Sequence, residues 1–251
     1  MITSNSILNP VLNPILNLPP AVTLLIISFV ITFIITLIYK LMTDQKKMKE
    51  MKEQIKDSQK KMKETKDTKK MMEIQKKAME VNMQYMIQSM KPTLITFIPL
   101  VLVFAWLNSS MGYSPLQPNT EFNVTAYFNP GVGGIININS TPSLEINNPE
   151  QKIENGKANW ILKGSEGDYL LEFKFNDAIY QKDIIITKER TYKNPLLLIK
   201  KSALQKIVVG NEPIKPFGNF HLFSWYPGWL GTYIIFSISF SLLLRKIMKV
   251  Y

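Results

Sequence analysis

The sequence predicts an α-helical membrane protein with three transmembrane helices, a cytosolic antiparallel coiled-coil hairpin and an inserted extracellular β-sandwich of the immunoglobulin-like type. Three observations support this prediction. Apolar stretches at residues 21–41, 92–108 and 227–244 are about as long as a helix that crosses a bilayer. A stretch rich in lysine and methionine follows the first of them, and a region with the alternation of β-strands follows the second.

Composition excludes several kinds of chemical site. The chain of 251 residues has no cysteine and a single histidine, His221, which excludes disulfides, thiolate zinc sites and multi-histidine metal sites. It contains no glycine-rich nucleotide loop and no HExxH motif. His221 is most simply an interfacial side chain beside a membrane entry.

The first transmembrane helix, residues 21–41, sets the predicted topology. Residues 1–20 carry no charge and predict a short apolar extracellular segment, and the first lysine is Lys40. Because positive residues favour the cytosolic side, the N-terminus is predicted outside and the following stretch inside. Hydroxyl residues repeat every four positions on one face of this helix, at Ser28, Thr32 and Thr36. Such hydroxyls usually bond to their own helix or to a neighbour, and spacing alone favours that role over a polar groove.

Residues 42–91 predict the hairpin. Between Lys40 and Lys91 the chain has fifteen lysines and eight acidic residues, most of its net charge of +11. Both ends of this stretch meet the same membrane face, and a single helix of about 75 Å could not return there unless it lay flat. The chain therefore reverses near residues 65–68, where Asp67 or Thr68 could cap the returning helix.

Three-four spacing predicts the seam between the two arms of the hairpin. Its apolar positions are Met48, Met51, Ile55, Met62, Met72, Met79, Met83, Met86 and Met90, with Ser58, Thr65, Lys69 and Lys76 at the intervening steps. The alternative is a solvated coiled coil that only acts as a spacer or dimerises.

Two further spans complete the membrane part. In residues 92–108, Pro92 is predicted to start the helix, and Pro99 should kink it or demand packing against neighbours. In residues 227–244, Pro227 is predicted to start the helix behind an aromatic belt. Residues 245–251 are basic and predict a cytosolic tail.

Residues 109–226 predict an extracellular β-rich domain. Alternation indicates strands at residues 121–128, 134–139, 158–163, 168–175 and 178–187, and residues 194–210 fit either helix or strand. Asn176-Asp177 predicts a tight turn between two of the strands. Three N-glycosylation sequons agree with an external location and begin at Asn108, Asn123 and Asn139.

Several segments together resemble the archaeal YidC-like proteins of the Oxa/YidC insertase superfamily, which also includes an insertase-type subunit of the eukaryotic ER membrane protein complex. These segments are Leu8-Asn9-Pro10, the exit at residues 43–49, the methionine-rich hairpin, Lys91-Pro92, residues 228–233 and Leu244-Arg245-Lys246. The resemblance covers roughly residues 8–108 and 225–251, and the β-rich region is an insertion outside the superfamily core.

The resemblance implies a membrane-protein insertase or chaperone of the plasma membrane. Such a protein is not an enzyme, and we expect it to need no cofactor and no metal. It implies a hydrophilic groove, with candidate lining residues Ser28, Thr32, Thr36, Thr93, Thr96, Ser237 and Ser241. Methionines would capture apolar segments, at Met72, Met79, Met83, Met86 and Met90. Lysines would contact ribosomal RNA or anionic lipids, at Lys60, Lys61, Lys63, Lys66, Lys69 and Lys70. Implied partners are nascent or short-tailed membrane proteins, and the ribosome or a targeting factor. No arginine lies within a predicted span, which argues against a charged groove.

Two other functions stay open. The protein could be a structural anchor whose extracellular β domain binds a glycan or protein partner. A channel or transporter is a weaker alternative, because no predicted span carries an ionisable residue in its middle.

Overall fold

The computed structural model describes residues 12–221 and 224–250. The chain divides into two compact units, one formed by Met1–Ala105 with Phe220–Tyr251 and the other by Trp106–Asn219. The predicted N-terminal segment is described only in part: residues 12–16 are helical, and residues 1–11, with Leu8-Asn9-Pro10, lie outside the described residues.

Four long helices contain the predicted spans and the hairpin. They are α1 (Pro20–Met42), α2 (Gln45–Glu64), α3 (Thr68–Met111) and α4 (Trp229–Ile247). Three of them, α1, α3 and α4, are long and apolar enough to cross a membrane. The extensive helix–helix contact is between α1 and α4, where the rings of Phe29 and Phe240 meet edge to face at 5.3 Å between centroids.

Helix α1 has one polar and one apolar face. Ser28, Thr32 and Thr36 are buried against other helices, whereas Phe33 and Ile34 are exposed. The hydroxyl of Thr36 donates to the carbonyl oxygen of Thr32 at 2.7 Å. Apolar side chains on the exposed face suit a lipid environment, and a hydroxyl bonded to its own helix costs little there.

The predicted hairpin forms between α2 and α3. Asp44 caps α2 by accepting the backbone N–H groups of Lys46 and Lys47 at 3.0 and 3.1 Å. The chain reverses at residues 65–67, and Asp67 caps α3 by accepting the backbone N–H of Lys69 at 2.9 Å. The predicted tip and the predicted Asp67 cap are both confirmed.

The predicted seam is correct on α2 and wrong on α3. On α2 the less exposed positions are those predicted: Met48, Met51, Ile55, Ser58, Met62 and Thr65. On α3 the half-buried positions are Ile74, Ala78, Val81 and Tyr85. The predicted seam residues of α3 are all exposed: Lys69, Met72, Lys76, Met79, Met83, Met86 and Met90.

Packing at the base of the hairpin explains this difference. Val81 and Tyr85 of α3 pack against a cluster of Tyr39, Met48 and Met51. The side chains of Val81 and Tyr85 fill the space beside Tyr39. The methionines at neighbouring positions of α3 remain exposed. Helix α3 therefore has two apolar stripes, and only one of them faces α2.

The prediction that Pro92 starts a helix is wrong, because α3 runs without interruption through Pro92 and Pro99. An interior proline removes one backbone hydrogen bond, at a cost of about 3 kcal/mol. Ending the helix at Lys91 would leave about four carbonyl and four N–H groups without helical partners. Continuing the helix through the proline therefore leaves fewer backbone groups unpaired than ending it would. The hydroxyl of Thr96 also donates to the carbonyl oxygen of Pro92 at 3.0 Å.

The third span begins and ends later than predicted. Helix α4 starts at Trp229, two residues after Pro227, with Gly228 as its N-cap residue. It continues through Arg245 and Lys246, which were predicted to lie in the tail. Cationic side chains are favourable in the last turn of a helix, where the carbonyl groups concentrate negative partial charge.

The second unit is a sandwich of two antiparallel sheets. One sheet has the order β3-β5-β1-β9-β8 and the other β4-β2-β6-β7. The strands are β1 (Phe122–Phe128), β2 (Ile135–Thr141), β3 (Glu145–Ile146), β4 (Glu150–Lys152), β5 (Lys157–Lys163), β6 (Gly167–Phe175), β7 (Ala178–Ile186), β8 (Leu196–Leu198) and β9 (Leu204–Val209). All five predicted strands are confirmed, and the ambiguous residues 194–210 form β8 and β9.

Aromatic contacts join the two sheets. Trp160 of β5 meets Phe173 of β6 at 5.5 Å between ring centroids, and both side chains are fully buried.

The predicted turn between β6 and β7 is also confirmed: Phe175 pairs with Ala178, and Asn176 has a φ of 52°. Asparagine tolerates this left-handed conformation better than most residues.

Replacing Phe173 with alanine should destabilise the sandwich by about 3–5 kcal/mol, because it leaves a cavity beside Trp160. Pulse proteolysis of the full-length protein in increasing urea would measure the change. The control is Ile161→Ala, on the opposite face of β5. The Ile161 side chain is exposed, so this substitution should cost less than about 1 kcal/mol. Equal effects of the two substitutions would contradict the core assigned here.

The corrected seam of α3 predicts opposite effects at Val81 and Met83. Val81→Asp should speed amide hydrogen exchange of residues 74–88 by about tenfold or more, because it places a charge against the apolar cluster. Met83→Asp should leave exchange nearly unchanged, since Met83 is exposed. If Met83→Asp loosened the hairpin more than Val81→Asp, the seam predicted from sequence would be the correct one.

Candidate functional site

A cavity of about 210 Å³ lies between three helices of the first unit. Thr32, Thr36 and Tyr39 of α1 line it on one side, and Leu100 and Phe104 of α3 on another. Its remaining lining residues are Ile35, Tyr233, Ser237, Ser241, Arg245 and Val250. Most of the cavity wall is apolar, and its polar groups are hydroxyl groups and the guanidinium of Arg245.

Four of the seven predicted groove residues meet in this cavity: Thr32, Thr36, Ser237 and Ser241. On α1 and α4 these residues are four positions apart, so each pair projects from one face of its helix. The ring of Phe104 packs edge to face on Tyr233 at 4.9 Å between centroids and fixes the wall formed by α3 and α4.

The other three predicted groove residues lie elsewhere. Ser28 is fully buried, and its hydroxyl has no hydrogen-bond partner within the described residues. Thr96 lines a separate apolar cavity of about 110 Å³ between α1 and α3, together with Ile34 and Pro99. Thr93 lines a shallow depression beside Met86 and Met90.

Sequence reasoning missed Arg245. It was placed in the tail, yet it lines the cavity, and its guanidinium carbon lies 5.0 Å from the centroid of the Tyr39 ring. The argument against a charged groove, drawn from the absence of arginine in the predicted spans, is therefore corrected. A signal was present, because Ser237, Ser241 and Arg245 follow one another at four-residue steps and share one helix face.

An exposed apolar surface lies on the hairpin portion of α3, the helix that also lines the cavity with Leu100 and Phe104. We call it the methionine surface; it consists of Met72, Met79, Met83, Met86, Ile87 and Met90. Its methionines are exposed by 48–65%. Methionine is flexible and polarizable, so such a surface can pack against apolar segments of differing shape.

The six predicted contact lysines are exposed near the hairpin tip: Lys60, Lys61, Lys63, Lys66, Lys69 and Lys70. Among the described residues, none of them forms an ion pair. Six ammonium groups without ion-pair partners give the tip a positive field that attracts phosphate groups.

The three sequon asparagines, Asn108, Asn123 and Asn139, are exposed. Asn108 lies near the end of α3, where its backbone oxygen accepts a hydrogen bond from the Tyr192 hydroxyl. Burial raises the pKa of Tyr192 to about 12, and Tyr113 adds to the shift, so this donor stays protonated at physiological pH. In the described residues, no group of three His, Cys, Asp or Glu side chains could hold a metal ion.

The three candidate spans and the two sheets define a multi-pass membrane protein with a β domain. Residues 5–128 match the family described as integral membrane protein EMC3/TMCO1-like, which is related to the ER membrane complex and to the Oxa1/YidC-type insertase superfamily. The match spans just under half of the chain, from before α1 to the end of β1. No curated protein and no solved structure matches the chain.

Proposed function

We propose that the protein helps nascent or short-tailed membrane proteins enter the lipid bilayer. One observation carries this proposal: helix α3 has the exposed methionine surface on its hairpin portion and, with its apolar portion, lines the cavity that contains the hydroxyl groups and Arg245. The similarity of residues 5–128 to an insertase-related family supports it. The process makes and breaks no covalent bond and uses no cofactor.

The physical task is to move a polar segment across hydrocarbon. Each unpaired backbone polar group costs several kcal/mol there. The hydroxyls of Thr32, Thr36, Ser237 and Ser241 offer hydrogen-bond partners along the path, and the guanidinium of Arg245 offers five donors at the end near the hairpin. A polar segment that passes between α1, α3 and α4 would therefore lose less of its hydration energy.

The hairpin would receive the substrate before it reaches the cavity. The methionine surface would hold the apolar segment, because its side chains adapt to different sequences. The lysines at the tip would bind ribosomal RNA phosphates or anionic lipid head groups, or dock a targeting factor. We also propose that the two arms of the hairpin form a coiled coil, because the side chains of the hairpin seam are less exposed than their neighbours.

We further propose the plasma membrane as the location, with the N-terminus outside and the C-terminus in the cytosol. The support is the distribution of lysine and arginine, which are absent before Lys40 and frequent after α1 and at the end of α4. This orientation puts the β-sandwich outside, where we propose an immunoglobulin-like domain with an extracellular partner. An archaeal YidC-like identity accords with these assignments.

Site-specific photo-crosslinking in membranes that carry stalled ribosomes would test this proposal. Probes at Thr32 in the cavity and at Met83 on the methionine surface should form adducts with nascent membrane proteins. A probe at Val30 is the matched control, because Val30 is exposed on the same helix as Thr32 and lines neither cavity. A folded, abundant protein that gives no nascent-chain adduct at either position would rule the proposal out.

Polar substitution of the methionine surface should slow insertion. The triple variant Met79→Ser, Met83→Ser and Met86→Ser should lower the rate by about tenfold in proteoliposomes, since it removes apolar contact area from the captured segment. The control substitutes three exposed polar residues of α3, Gln75→Ser, Gln84→Ser and Asn82→Ser, and should keep most of the activity. Unchanged insertion by the methionine variant would show that capture occurs elsewhere.

A second candidate function is a structural anchor whose β domain binds an extracellular glycan or protein. One observation favours it: Tyr127 on the outer face of the β1 sheet has the amines of Lys157 and Lys206 at 5.3 and 4.6 Å from its ring centroid. The three residues lie side by side on neighbouring strands. An aromatic ring between two cations suits an acidic glycan.

Binding of the full-length protein to immobilised acidic polysaccharide would separate the two functions. The anchor predicts that Lys157→Gln with Lys206→Gln abolishes binding, while Lys174→Gln on the other sheet does not. It also predicts that deletion of residues 111–224 abolishes function in cells, whereas scrambling the hairpin seam has no effect. If insertion activity depends on the methionine surface, that result would support the insertase and contradict the anchor.

A further inference from the structure

The chain turns back sharply after α4. The backbone N–H of Lys249 donates to the carbonyl oxygen of Lys246 at 3.4 Å, and that of Val250 donates to the carbonyl oxygen of Arg245 at 2.9 Å. Lys249 has a φ of 51°. These bonds and the left-handed residue form a Schellman turn, the usual way to end a helix. Its effect is to reverse the chain direction so that Val250 points back toward the bundle.

Val250 is seated among residues of other helices. It is only 8% exposed and packs in a cluster with Tyr39, Met48 and Met51. Met248 packs against the same cluster, as do Val81 and Tyr85 of α3. In a common Schellman turn the apolar residue after the turn contacts its own helix. Here it touches the end of α1 and the start of α2 instead.

Val250 also lines the cavity between α1, α3 and α4. Val250 and Arg245 stand at the end of the cavity where Tyr39 is located. One short segment therefore contacts both the base of the hairpin and the wall of the cavity. Lysine is not favoured at a positive φ, so the turn is held by the contacts of Val250 and Met248 more than by the preference of Lys249.

We infer that residues 248–250 form a strap that keeps the cavity narrow by holding the base of the hairpin against α1 and α4. Release of Val250 from Tyr39, Met48 and Met51 frees α3 to move away from the α1–α4 pair, and the cavity then widens enough to admit a polypeptide segment. This inference rests on the proposed function for its purpose, although the packing of the strap itself is a property of the fold.

The lack of native cysteine gives a direct test. A single Ser237→Cys probe in the cavity, in the full-length protein in membranes, is labelled with a water-soluble maleimide, and the rate is measured with and without a strap substitution. Val250→Asp should raise the rate by about tenfold, the factor that the lost burial of one valine corresponds to. Val250→Ile, which keeps an apolar branched side chain, is the matched control and should leave the rate unchanged.

Substitutions at Lys249 test the turn without touching the buried side chain. Lys249→Gly suits the positive φ and should lower the labelling rate, whereas Lys249→Val places a β-branched residue in a disfavoured conformation and should raise it. If Val250→Asp fails to fold, the two Lys249 variants decide the question. Equal rates for all folded variants would overturn the strap.

Insertion assays on the same variants separate this inference from the proposed function. Faster labelling of Val250→Asp together with no insertion by any variant, the wild type included, would support the strap and refute the insertase. Insertion by the wild type with labelling that does not respond to the strap variants would refute the strap alone. Faster labelling with altered insertion would support both.

Discussion

A backbone polar group surrounded by hydrocarbon has no water to bond with, and the helical part of this protein follows from that constraint. It explains why α3 continues through Pro92 and Pro99 although each proline removes a backbone hydrogen bond. It also explains why the hydroxyl of Thr36 donates within its own helix. Polar side chains that turn inward then meet between the helices, and the cavity is the result of keeping them away from lipid.

The sequence predicts the seam residues of the hairpin on α2 but not on α3. On α2, charged and glutamine side chains occupy the positions outside the seam, so the apolar stripe of Met48 and Met51 could be found from spacing alone. On α3, the methionines and the series through Val81 and Tyr85 both repeat at three-four steps, and spacing favours neither. The choice depends on Tyr39, which lies on another helix, and no local pattern contains that information.

The cavity and the β domain show the same limit. Hydroxyls at four-residue steps placed Thr32 and Thr36 on one face, but their meeting with Ser237 and Arg245 depends on how α1 and α4 pack. Strands of seven or more residues were found because alternation is visible over that length. The short strands β3, β4 and β8 have two or three residues each, too few for a period of two to stand out.

The unbroken course of α3 has a consequence for the dimensions of a guest chain. Met83 on the methionine surface and Leu100 at the cavity belong to one helix, with no joint between them. Seventeen steps of about 1.5 Å separate them by about 25 Å along its axis. An extended chain covers that span with about eight residues. Under the proposed function, a peptide held at the methionine surface and entering at the cavity must therefore supply a spacer of at least that length, which sets a lower limit on tail length.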